Sequence, residues 1–166
     1  PLLGPSLLAE LDGQDVSTEA GYWLRVELMF MLRVLVVRTS EELAQAALKS
    51  HAKDTRLDSE LPYAQATARE LEERVTLARA LLTDVEKGLA EAEQAPGEGG
   101  WSPLFARVMQ AYGVQPHEQL AVQFVVLVKV QQSHGLRALL PGDTVLEDCE
   151  GAMIQYVCGL SQLQLA

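Results

Sequence analysis

Apolar and small residues recur through the middle of the chain at Leu61, Ala64, Ala68, Leu71, Val75, Ala78, Leu82, Val85, Leu89 and Ala92, with spacings of three and four in alternation. A repeat of about 3.5 residues sets every member on one face of an α-helix. It predicts a helix over 61–93, ending near Gln94 and about 50 Å long. Pro62 suits the first turn, where its missing amide donor goes unused. Arg69 with Glu73 and Glu70 with Arg74 stand at helical spacing on the polar side. The seam makes Leu71, Val75, Ala78, Leu82 and Val85 candidate interface residues, with two uses open: a coiled coil between chains, or packing against a helix of the same chain.

The bulkiest apolar run, YWLRVELMFMLRVLVV from Tyr22 to Val37, offers such a helix. Arg25, Glu27 and Arg33 interrupt it, and its uncharged runs fall far short of the roughly 20 residues a bilayer needs. A buried helix from about Glu19 to Arg38 is expected, with Ser17 or Thr18 as its cap and Glu19 in its first turn. Ser40 before Glu41 and Glu42 looks like a further cap, so a second helix to about Lys53 either follows a kink or continues the first.

The run QAPGEGG, Gln94 to Gly100, is a linker. It divides a charged helical lobe, 1–93, from an apolar lobe of helical hairpins, 101–166, with 94–100 between. The first hundred residues hold ten Lys or Arg against eighteen Asp or Glu, whereas 101–166 hold three against five. So few charges imply an apolar surface buried in its own core or against a partner. Trp101 beside the linker is a contact residue or an anchor of the linker, and Phe105 is a candidate contact on the first helix of this lobe.

That helix is expected to be capped by Ser102 and opened by Pro103, with Leu104, Phe105, Val108, Met109 and Tyr112 on one face. Gly113 suits the left-handed stop position and Val114 the fold-back over the last turn. Pro116 begins the next helix, with Gln115 as its cap, making an αα hairpin. The run 120–130 alternates valines as a strand would, yet Leu120, Phe124, Leu127 and Val128 also line a helix face; Pro116 and the length to Ser133 favour the helix. Ile154, Gly159 and Leu160 stand as Val108, Gly113 and Val114 do, a short match to a tandem hairpin. The chain opens on Pro1 and ends on GLSQLQLA without a helix stop, which is expected of a piece cut from a longer protein, truncated at the C-terminus.

The 166 residues carry a formal net charge of −10, a field that repels nucleic acid. The hairpin has a helix-turn-helix outline, but its second helix begins PHEQLAVQF and has no Arg or Lys before Lys129. Aromatics make up only 5%, so the core must come from Leu, Val and Ala. Cys149 and Cys158 lie nine apart in an expected helix, too far for a bridge, and read as reduced thiols of an intracellular, cytoplasmic protein. No phosphate-cradling GxxxxGK[ST] or GxGxxG occurs, and His51, His117 and His134 have no ligand spacing, so neither cofactor nor metal is expected. The acidic run Asp143, Glu147, Asp148 and Glu150 lacks the pattern of a calcium loop.

The early helix with WLRVEL and LRV, a charged middle, and LFARVMQAYGVQPHEQLAVQFVVL together resemble the helical region that precedes the ATPase module in certain multidomain AAA+ proteins. The likeness covers about forty residues. It implies a partner-recruiting or regulatory region of a motor whose catalytic part lies elsewhere. The ATPase signatures are absent, and the long heptad helix is no part of that pattern. The expectation is an all-α bundle acting as a non-catalytic interaction or assembly module, through a protein partner or self-association, with neither nucleic acid nor membrane as partner. The competing reading is a small-ligand-binding or enzymatic helical domain with a site between the lobes, built from Tyr112, His117, Cys158 and an acidic residue.

Overall fold

A computed structural model describes residues 18–53, 61–94, 101–131 and 133–139. The expectations for the linker, both cysteines, the acidic run from Asp143 and the second Gly-aliphatic turn lie outside the described residues, which form an all-α bundle with no strand among them. Two long helices, α1 (Glu19–Lys53) and α2 (Leu61–Gln94), pack side by side in opposite directions. Tyr22 meets Glu93, Arg33 meets Glu86, and Leu32 packs with Ala78.

Thr18 closes the start of α1, its Oγ1 accepting from the Gly21 amide at 3.1 Å. The helix runs unbroken through Ser40, whose hydroxyl donates back to the Val36 carbonyl at 2.6 Å rather than capping a new helix. α1 is apolar on more than one side because it is central. Tyr22, Val26, Met29, Phe30 and Val34 join Leu89 of α2 and the second half of the chain, while Leu28 and Leu32 meet Ala78. No helix among the described residues is long and apolar enough to cross a membrane.

From Ala78 to Leu89 the heptad seam packs against α1. Leu71, Val75, Ala78 and Leu89 are buried, and Leu82 and Val85 are half-buried against α1. The small side chain of Ala78 lets Leu28 and Leu32 approach α2 closely. Gly88 lies on the same helix, where an added Cβ would sit 3.4 Å from Nη1 of Arg25, an ordinary contact. Gly88→Ala therefore trades backbone freedom for helix propensity at no steric cost. It should stabilise the fold by about 0.5–1 kcal/mol and raise Tm by about 1–4 °C. Calorimetry showing a lower Tm would mean that the Arg25 guanidinium needs the gap.

Beyond the linker, α3 (Leu104–Ala111) and α4 (Pro116–Val125) form the expected hairpin. Gly113 has φ +65, and the amides of Gly113 and Val114 reach the carbonyls of Gln110 and Met109 at 3.1 and 3.0 Å. These are the two bonds of a Schellman stop. The start of α3 departs from expectation. Pro103 stands just ahead of the helix, and the Leu104 amide donates at 2.6 Å to Oε1 of Glu19, 85 positions away, instead of being served by Ser102. At the start of α4 the Gln115 amide donates to Glu118 at 2.8 Å.

The run 120–130 is helical. Its last turn, Val126–Val130, widens to a π turn in which the Gln131 amide reaches the Val126 carbonyl at 2.9 Å. Crowded β-branched side chains disfavour regular α-winding there. Ser133 then starts α5 (His134–Leu139), its Oγ accepting from the Leu136 amide at 3.1 Å and donating to Glu27 of α1. Gly135 permits this close approach, since a Cβ would lie 2.9 Å from Oε1 of Glu27. Leu136 and Leu139 complete the core around Phe30, Phe124 and Leu127.

Candidate functional site

α1, α2 and α4 flank an open cleft of about 220 Å³. Met29 and Leu89, both almost wholly buried, give it apolar lining from the long helices, and Pro116 and Leu120 of α4 add to it. Two polar groups border this apolar lining. Arg33 donates from Nε at 3.0 Å and Nη2 at 2.5 Å to one oxygen of Glu86. Seven residues further along α2, Oε1 of Glu93 accepts from the Tyr22 hydroxyl at 2.7 Å and from Nε2 of Gln123 at 3.2 Å. Gln123 Nε2 also donates to the Tyr22 oxygen at 2.8 Å.

Tyr22 is fully buried, and that burial, then the negative charge of Glu93, pushes its phenol far above the ordinary value near 10. The protonated hydroxyl remains the donor that Glu93 needs. A pKa raised by folding contributes stability that is present below about pH 10 and is lost as the pH rises above it. Tyr22→Phe should thus be less stable than the parent at pH 7 by about 1 kcal/mol. Its deficit should close as the pH rises beyond 10, which urea midpoints at pH 7, 9 and 11 would show. A deficit independent of pH would remove the phenol from this balance.

The residues singled out by the sequence lie elsewhere. Ala78, Leu82 and Val85 pack against α1, and Leu71 and Val75, on the same side of α2 by their spacing, are buried within the chain. Trp101 and Phe105 are half-buried against the main core, Phe105 edge-on to Trp23 with ring centroids 5.4 Å apart. The expected single apolar face of α3 is divided. Phe105 packs toward the core, whereas Leu104, Val108 and Tyr112 are 55%, 38% and 80% exposed, and α3 has no buried residue. Tyr112 is therefore a surface group and His117 is half-buried, while Cys158 lies outside the described residues. No group of three or more His, Cys, Asp or Glu among the described residues could hold a metal ion.

Sequence reasoning missed Tyr22, Glu93 and Gln123, which are 71 and 101 positions apart along the chain and share no local pattern. Arg33 did leave a signal: a cation inside the apolar run 22–37 needs a partner, and Glu86 supplies it. Compared with known proteins, the chain matches no family model, and no curated protein or solved structure resembles it significantly.

Proposed function

We propose that this chain is a non-catalytic protein–protein interaction module whose contact surface is the outer side of the α3–α4 hairpin. The observation that carries this reading is the exposed apolar stripe of Leu104, Val108 and Tyr112 on a helix with no buried residue. Positions four apart stack on one helix side, and such a stripe suits the apolar face of a partner's amphipathic helix. Val122 and Val125 of α4 are also exposed, at 38% and 43%. On the described part of α2, Leu77 is the exposed large apolar residue, so the outward side of the long helix offers a partner much less. The same role would serve the regulatory or recruiting region of a larger AAA+ ATPase.

Val108→Asp with Tyr112→Ser changes this surface alone. The pair should shift stability by no more than about 1 kcal/mol, because neither side chain is buried. Partner capture and chemical crosslinking should succeed with the parent chain and fail with the variant at equal Tm. Light scattering separates the self-association form of the idea: a parent dimer would become a monomer in the variant. A variant that still holds the same partner would end this reading.

A further inference from the structure

We infer that the cleft between α1, α2 and α4 binds one primary ammonium or guanidinium group carried on an aliphatic stem, with the Glu93 carboxylate receiving the charge. This site is separate from the hairpin surface and stands or falls independently of it. Its charge balance sets the ligand's sign. Arg33 offsets Glu86 through two hydrogen bonds to one oxygen, and Gln119 and Gln123 are neutral, so Glu93 is the uncompensated charge of the lining. Glu93 uses Oε1 for Tyr22 and Gln123, and its other oxygen has no donor among the described residues.

Gln123 supplies an independent observation. Its side chain lines the cleft and the residue is only 3% exposed. The Tyr22 hydroxyl proton goes to Glu93, so both groups facing the amide are acceptors, and they fix its nitrogen toward them. The amide carbonyl is left without a donor among the described residues. That oxygen is not sealed from solvent, so it is open to a donor at the cleft.

A carboxylate oxygen and an amide oxygen bordering one small cleft call for a ligand with several N–H donors and a positive charge. Met29, Leu89 and Leu120 provide the apolar wall along which a methylene stem lies. An anion meets Glu93, and a neutral alcohol leaves its charge unpaired. The net charge of −10 raises the local concentration of any such cation. A lysine or arginine side chain of a partner and a free alkyl polyamine share this chemistry.

The test titrates the full chain with pentylammonium and, separately, with pentanol, following the side-chain amides of Gln119 and Gln123 and the Met29 methyl by NMR. Saturable shifts with pentylammonium, with Kd on the order of 1 mM for so small a ligand, are expected, and none with pentanol. Glu93→Gln keeps an acceptor for Tyr22 and Gln123 and should weaken binding at least roughly tenfold. Glu91→Gln, which removes an exposed carboxylate of the same helix, should leave affinity unchanged. Equal binding of pentanol, equal weakening by both variants, or no shift with pentylammonium overturns the proposal. Once pentylammonium binds, tighter binding of a short lysine peptide assigns the source to a protein chain, and tighter binding of spermidine to a free polyamine.

Discussion

Phe30→Ala should cost about 3–5 kcal/mol and lower Tm by roughly 10 °C. Phe30 is fully buried, and its ring meets that of Phe124 edge-on, with centroids 5.4 Å apart and planes at 67°. It joins α1 to α4, the long helices to the hairpin half. Val26, Val34, Leu127 and Leu136 share the same cluster on three different elements. Because each neighbour is held by its own helix, the vacated volume cannot close, and the cavity adds to the lost transfer energy. Phe30→Leu should cost less than half as much, and Leu48→Ala, at a side chain 70% exposed, no more than about 0.5 kcal/mol. Urea and thermal unfolding of the three variants give the ranking. A loss below about 1 kcal/mol at Phe30 would mean that the two halves of the chain are not coupled through this contact.

Much of this core was legible from periodicity, because a helix face repeats every three or four residues whatever it packs against. The heptad positions of α2, the stop at Gly113 and the helix opened by Pro116 all rest on such local rules. The choice between helix and strand at 120–130 turned on length and on Pro116, and the valine-rich end of the run is a widened helical turn, not a strand. What could not be read was every contact closed by folding. Glu19 caps α3 across 85 positions, although Ser102 stood beside it as the local choice. Glu93 and Gln123 meet at the cleft, with Tyr22 bonded to both, only because α1, α2 and α4 converge there. A periodic pattern gives the face but not the partner, which is why the seam of α2 could equally be drawn against another chain.

That ambiguity makes Val75→Asp with Leu82→Asp the sharpest test of the fold. Val75 is 5% exposed, and Leu82 packs against both apolar clusters between α1 and α2. A carboxylate at either place loses much of its hydration on folding, at a cost of several kcal/mol each. Together they exceed the usual 5–15 kcal/mol margin of a domain or come close to it. The double variant should therefore lose its helical circular dichroism and its cooperative transition. Light scattering across a wide concentration range should show no association of the parent that depends on this seam, since α1 already covers it. A coiled coil between chains behaves differently, because the same substitutions would dissociate a parent dimer while helix and melting persisted in the monomer. Acidification separates the causes once more: protonating the two aspartates removes most of the charge penalty, so helicity should partly return toward pH 4 if burial of charge is what unfolds the chain. Helicity that stays lost at every pH would instead trace the damage to the two missing aliphatic side chains, each worth about 1.5–3 kcal/mol when buried.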